Sequence, residues 1–425
     1  MNCAHLKDTA TISTFDSLGL RPQLLRAVKD IGFTAPTPIQ LASIPPALAG
    51  KDVLASAKTG SGKSAAFGLP LLDALADQPR GVTRALILAP TRELAAQIAE
   101  HLSALAKHTT IKIAAVYGGV GFGPQAAAFK RGTDIIVATP GRLQDHLNQK
   151  TANLNGVTHL VLDEADRMLD MGFLPVVRKL LRYIPAKRQT LFFSATMPDA
   201  ISALTKEMLH DPVRVELSPE TGVPANEVTQ TIYTINQERK VDLFLELLKD
   251  NNIYSAIAFT RTKARANRLA AALSKNAIPS DRIHGDRSQA QRTRTLADFK
   301  RGKFRVLVAT DIAARGIDIE ALGHVINYDV PMVPEDYVHR IGRTARAELK
   351  GDAITFVSQD EEKYFSQIER QIGKRLNRTA NPPLPEVSAH FTPPREPQRF
   401  AAHPSRAKRP AGQNGGRPSR SKQHK

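Results

Sequence analysis

The sequence predicts an α/β protein of two domains in tandem, each a parallel sheet flanked by helices, followed by a basic tail with no core of its own. Short apolar runs rich in β-formers alternate with amphipathic stretches of helical period, the rhythm of parallel strands joined by crossover helices. That rhythm breaks across the polar Pro/Gly stretch Leu217–Pro224 and then begins again. After about Arg378 it ends: nine prolines join Gly, Ser, Gln and basic residues, a composition that cannot build a core and is expected to be disordered when free. The expected division is an N-terminal segment at 1–43, a first domain at 44–216, a linker at 217–226, a second domain at 227–378 and the tail at 379–425.

In the first domain the strands are read at Val53–Ala55, Ala85–Ala89, Ile111–Val116, Asp134–Ala138, Leu160–Leu162 and Thr190–Ser194. Turn signals follow most of them, as at Ala89-Pro90-Thr91, Ala138–Gly141 and Ser194–Pro198. These loops fall at strand carboxyl ends, where open α/β sheets place their ligands. In the second domain Ser255–Phe259, Arg305–Ala309, His324–Tyr328 and Ala353–Val357 read as strands, with helices over Arg261–Lys275 and Gln289–Lys300.

A net charge of +18 and an isoelectric point near 10.0 make a polyanion the natural partner. From Leu376 to Lys425 ten Lys and Arg stand against two Glu, so the tail carries +8 of it, either as an electrostatic tether or as a solubilising extension. Cys3 is the single cysteine, which excludes an intrachain disulfide and a Cys-rich zinc site. Neither a signal-peptide core at the start nor an 18-residue apolar run is present, and the expectation is a soluble cytoplasmic protein with no membrane contact.

Two patterns carry chemistry. Strand Val53–Ala55 leads into Ala57-Lys58-Thr59-Gly60-Ser61-Gly62-Lys63-Ser64 and then a helix, the context a phosphate-binding loop requires. Gly60 and Gly62 let backbone N–H groups turn toward phosphate, Lys63 neutralises the β and γ phosphates, and the Ser64 hydroxyl can ligand Mg²⁺. Ala57 stands where the general pattern has Gly. About a hundred residues on, the apolar strand ends in Asp163 and Glu164: Asp163 is the metal-side carboxylate, and Glu164 is placed to orient and deprotonate an attacking water. Taken alone, each pattern also reads blandly, as a glycine-rich turn and a solvated acidic turn.

In the second domain Arg340, Arg343 and Arg346 lie three apart, so a helical turn would set them on one face. If the two domains close on one nucleotide, Arg343 and Arg346 can meet charge developing on the γ phosphate. A basic helix gripping any polyanion is the plainer alternative.

With Asp163-Glu164-Ala165-Asp166 in place, the chain resembles the DEAD-box RNA helicases, and the likeness runs from about Phe15 to Phe356. The resemblance implies two RecA-like domains, ATP with Mg²⁺, and RNA as partner. It further implies that Phe15, Thr37 and Gln40 form the adenine-reading motif, Phe15 stacking on the ring and the Gln40 amide bonding its edge. Asp318 would meet the ribose. RNA contacts are implied for Arg92, Gly119, Thr139, Arg142, Arg261, Gln289, Arg292 and Thr310, and coupling of hydrolysis to strand separation for Asp166, Ser194, Thr196 and His339. Lys58, Ser64 and Ala345 depart from the commonest family pattern, although Ser64 keeps the hydroxyl. Phe15–Leu20, Asp298-Phe299-Lys300 and Val333–His339, with the basic tail, look most like the bacterial RhlE-type subgroup.

The expected function is an RNA-dependent ATPase that unwinds short duplexes or remodels RNA–protein complexes by ATP-driven closure of its two domains. With no Trp and 5% aromatic residues, little base stacking is available, and sequence preference in the core should be low. An ATP-gated clamp or annealing factor and a DNA translocase of the same superfamily are the competing readings. Protein partners in ribosomal particles or RNA decay would be common family assignments.

Overall fold

Ala85–Leu88 and Ile135–Ala138 are buried at every position, so the sheet they join must be covered on both faces. In the computed structural model, which describes residues 14–57, 60–216, 228–250, 252–314, 322–344 and 351–385, this holds for two sheets. The first contains β1 (Val53–Ser56), β2 (Ala85–Leu88), β3 (Ile113–Val116), β4 (Ile135–Ala138), β5 (His159–Leu162), β6 (Gln189–Ser194) and β7 (Val213–Glu216). The second contains β8 (Val228–Thr234), β9 (Ala256–Thr260), β10 (Ser280–Ile283), β11 (Val306–Thr310), β12 (His324–Asn327), β13 (Gly351–Val357) and β14 (Arg378–Thr379).

Every pairing is parallel, and the strand orders are β3-β4-β2-β5-β6-β1-β7 and β10-β11-β9-β12-β13-β8-β14. Counted from each domain's first strand these are one and the same permutation, so the chain builds one topology twice. Side chains alternate along each strand: Val53, Ala55, Ile87 and Val161 enter one core of the first sheet, and Leu54, Leu86, Leu88, Leu160 and Phe192 the other. Burying a side chain of this size stabilises the fold by about 1.5–3 kcal/mol. The second sheet is covered in the same way.

Strand order decides which loops become neighbours. β5, β6 and β1 are consecutive, with Val161 opposite Leu191 and Leu191 opposite Val53, so the segments that leave their carboxyl ends lie side by side. Those segments are the acidic turn at 163–166, the loop at 194–196 and the phosphate loop. β11, β9 and β12 bring Thr310, Thr260 and Asn327 together in the second sheet by the same logic.

The strands expected from the sequence are all present within a residue or two, but β7, β8, β10 and β14 were not expected. β8 reads Val-Thr-Gln-Thr-Ile-Tyr-Thr, polar at most positions, and hides Val228 and Ile232 beneath the sheet. The fold also continues past Arg378: β14 pairs with β8, the Asn381 amide donates to the Thr234 carbonyl at 2.8 Å, and Leu384 packs on the second domain's core. Residues through Leu384 form one compact unit holding both sheets. The expected linker at 217–226 and the tail from 386 onward lie outside the described residues. No described helix is long and apolar enough to cross a membrane.

Candidate active site

Gly60 and Gly62 take φ of 82° and 91°, the left-handed region that glycine enters without strain. Gly62 then caps the helix Lys63–Leu75, whose first turn carries Lys63 and Ser64. Thr37 and Gln40, read as adenine contacts, hold this loop from outside. The Thr37 hydroxyl donates to the Ser61 carbonyl at 2.8 Å, and the Gln40 amide to the Gly62 carbonyl at 3.1 Å. A Cβ at position 62 would sit 2.5 Å from Gln40 Nε2, so the glycine is required by contact as well as by backbone angle. Phe15 is buried and stacks on Phe33, with ring centroids 6.2 Å apart. Lys58, Thr59 and Asp318 lie outside the described residues.

Lys63 is buried, donates to the Ala57 carbonyl at 3.1 Å and lies 3.9 Å from Asp163. Asp163 Oδ1 is fully enclosed and accepts no hydrogen bond. Burial raises this carboxyl to about 6; Lys63 works against the rise and Glu164 adds to it. An enclosed carboxylate oxygen with no hydrogen-bond donor fits a divalent cation. Among the described residues no three acidic, His or Cys side chains could hold a metal by themselves, so such an ion would complete its shell with phosphate oxygens and water.

Glu164 has φ 53° and ψ 53°, a conformation that a non-glycine residue adopts only under constraint. Its carboxylate lies 3.6 Å from Arg167, a buried residue that sequence reasoning did not single out. Asp166 is tied to the neighbouring loop: one carboxylate oxygen accepts from the backbone N–H groups of Ala195 and Thr196 at 3.1 and 2.9 Å and from the Thr196 hydroxyl at 3.1 Å. In return, the Ser194 hydroxyl accepts from Asp166 N at 3.1 Å. Three of the four residues expected to couple hydrolysis to strand separation, Asp166, Ser194 and Thr196, therefore form one unit.

His339 reaches this unit from the second domain. Burial pulls its imidazole down to about 4; the nearby Arg167 guanidinium lowers it further, while Asp166, Asp336 and Glu164 oppose the shift. It is neutral at physiological pH. Arg343 lines the same small hollow, with Arg167, His339 and Arg340. The shared helical face expected for the arginines is not formed, because the helix ends at Ile341. Arg340 instead turns inward: its guanidinium donates to both Asp311 carboxylate oxygens at 2.6 and 2.7 Å, to Asn327 at 3.0 Å and to the Asp329 carbonyl at 2.7 Å. Arg346 lies outside the described residues.

The residues expected at RNA mostly open helices at strand carboxyl ends. Arg92 and Gln289 begin helices capped by Thr91 and Ser288, and Thr139 immediately precedes Pro140–Asn148. Arg92 packs over Gly118 and Gly119, where a side chain at 119 would collide with its guanidinium. Arg142 donates to Gln125 at 3.2 Å and to the Val120 carbonyl at 2.7 Å, and its guanidinium covers the Phe122 ring. Thr310 ends β11 and is almost closed off. Three of these residues also make contacts within the protein. Gln289 and Arg292 reach Glu93 of the first domain, at 2.9 and 3.1 Å, because that buried carboxylate needs donors. Arg261 is engaged by Glu361 at 2.7 Å and by the Val330 carbonyl at 3.3 Å. Glu93 is a residue that sequence reasoning did not single out.

A phosphate loop, an acidic strand end and a second domain's basic groups meeting within two parallel sheets define a two-domain nucleoside-triphosphatase. The DEAD/DEAH box helicase family model matches residues 37–204, and the helicase conserved C-terminal domain matches 239–348. The DEAD-box ATP-dependent RNA helicase CshA of Bacillus cereus is 44% identical over 376 residues, 88% of this chain and 71% of that protein. Saccharomyces cerevisiae Dbp5 bound to RNA and ADP–BeF3 has a TM-score of 0.77 at 33% identity, covering 85% of this chain and 94% of that one. Mss116p bound to single-stranded RNA and AMP-PNP has a TM-score of 0.79 at 28% identity, covering 88% and 80%. This chain belongs to the DEAD-box ATP-dependent RNA helicases. The RhlE-type likeness is not supported by these relatives, among which the bacterial one carries the name CshA.

Proposed function

We propose that this helicase splits ATP at the seam between its two sheets and uses domain closure to open short RNA duplexes or strip RNA–protein complexes. The observation that carries the reading is the meeting of second-domain His339 and Arg343 with the first-domain acidic turn, around Arg167. In this reading Lys63 and the backbone of the phosphate loop hold the triphosphate, Glu164 orients the attacking water and takes its proton, and Arg343 with Arg346 meets the charge that develops on the γ phosphate. Ser64 and Asp163 would hold Mg²⁺, which when bound neutralises phosphate charge and polarises the bond that breaks. Gln40 and Thr37 read the base and steady the loop together.

Asp166, held by Ser194 and Thr196, and neutral His339 transmit the state of the nucleotide to the RNA loops. Arg92, Gly119, Thr139, Arg142 and Thr310 form the RNA track, and Gln289 and Arg292 border it while fastening the domains. Neighbours of similar fold bound to RNA and nucleotide analogues support this division of labour. ATP turnover without nucleic acid, with single-stranded RNA and with single-stranded DNA tests it. Strong stimulation by RNA alone is expected; equal stimulation by DNA would replace the reading with a translocase, and duplex binding without turnover with a clamp.

A further inference from the structure

One concavity lies away from everything described so far. Ser255, Pro279 and Arg305 each stand at the entrance of a strand, β9, β10 and β11 respectively, so the hollow they frame opens at the amino-terminal edge of the second sheet. The nucleotide and RNA loops leave from the opposite edge. The hollow measures about 440 Å³ and is walled by Tyr254, Pro279, Phe299 and Phe304. Phe299 is buried, whereas Tyr254 is 70% exposed, more than any other exposed large hydrophobic residue described. Its ring lies against Gly323, where a Cβ would stand 3.3 Å from Tyr254 Cζ, so the glycine leaves the ring room to lie flat.

The rim is basic. Lys300-Arg301-Gly302-Lys303-Phe304-Arg305 puts four cations in six residues. Asp298 serves Arg301, Lys303 at 3.0 Å and Arg294 at 3.8 Å at once, so positive charge is in excess around it. Arg305 is fixed on the carbonyls of Ile253 and Asp250 at 2.6 and 2.8 Å, which makes that wall rigid. A preformed, mostly apolar hollow takes one anchoring side chain, an exposed aromatic beside it supplies contact area at little entropic loss, and a cationic rim selects acidic flanks. RNA would need a run of stacking faces along a groove, and this site offers a single hollow.

We propose that this hollow docks an acidic peptide segment of a partner protein, anchored by one aromatic or branched aliphatic side chain. The test is fluorescence anisotropy of the full chain with short labelled peptides in which a central Phe, Trp or Leu is flanked by Asp and Glu. At least one should bind saturably, Tyr254→Ala should weaken it about tenfold or more, and Lys303→Glu should shift preference toward Lys-flanked versions. Both substituted positions are at the surface, and RNA-stimulated ATPase should stay at the wild-type level in each variant, which also reports correct folding. The proposal is overturned if no such peptide binds, or if Tyr254→Ala binds it like wild type. It is equally overturned if oligo(U) displaces the peptide and Tyr254→Ala weakens RNA binding, because the hollow would then be an RNA site.

Discussion

Gln289 Nε2 donates to Glu93 Oε1 at 2.9 Å, and Arg292 approaches the same oxygen at 3.1 Å, so one buried carboxylate of the first domain is satisfied by two donors of the second. When the domains part, all three groups must find water, and the bond set exists only in the closed arrangement. It therefore acts as a latch. Glu93→Gln keeps the shape and removes the charge. Its expected effect is a loss of about 1–2 kcal/mol of coupling, or roughly 5–30-fold in RNA affinity measured with an ATP analogue present. ATP affinity without RNA should not move. Equal RNA affinity in variant and wild type would show that the latch contributes nothing to closure.

That latch marks the limit of what the sequence displays. Apolar runs made β1, β2, β4, β5, β6, β9 and β11 legible, and turn residues after them located the site loops. Gln289 and Glu93 are 196 residues apart, and no local pattern pairs them. β8 was missed because Thr and Gln fill the positions between Val228 and Ile232, so only the finished sheet reveals it as a strand between β13 and β14. The arginine spacing at 340, 343 and 346 was right for a helix that in fact stops at Ile341, and Arg340 then answers to Asp311 and Asn327 rather than to its helical register.

Asp163 stores instability in the nucleotide-free protein. Its folded value of about 6 lies above the ordinary 3.8, so its contribution to stability is fully present below pH 3.8 and is lost as pH rises through 6. At pH 8 the buried carboxylate is ionised and unfavourable. Asp163→Asn should raise nucleotide-free stability at pH 8 by about 1–3 kcal/mol, with the gain shrinking toward pH 4, while abolishing ATP turnover. Parallel melting curves for variant and wild type across that range would refute the assignment.

His339 has the opposite sign. Its value of about 4 lies below 6.5, so the stability tied to its neutral form is complete above pH 6.5 and is lost as pH falls toward 4. Charging it would set an imidazolium beside Arg167. In His339→Asn the extra acid sensitivity between pH 6.5 and 4 should disappear, a difference of about 1–3 kcal/mol by the end of that window. An unchanged pH profile of thermal unfolding would show that this imidazole is not shifted.

Arg343 should separate binding from chemistry. Arg343→Ala is expected to lower RNA-stimulated kcat by about 10³-fold or more, as for an arginine finger, and to leave ATP affinity within about twofold, since in the proposed reading the phosphates are held by the other domain. A KM effect at unchanged kcat would instead make it a ground-state contact.

Glu164 is held at φ 53° in the turn that leaves β5, and such a conformation survives only where surrounding bonds fix it. Those bonds are visible one residue pair on, where Asp166 is gripped by Ala195, Thr196 and Ser194. The turn thus fixes Glu164, whose carboxylate lies 3.6 Å from Arg167 and which in the proposed reading orients the attacking water. Glu164→Gln retains size and hydrogen bonding but cannot accept the proton, so turnover should fall by about 10²–10⁴-fold. ATP and RNA binding should persist, and because product no longer forms, RNA should dissociate more slowly from the ATP-bound variant than from wild type. Measuring RNA release after ATP addition distinguishes the two roles: slow release with lost turnover fits a base, whereas lost binding would make Glu164 a support for the loop.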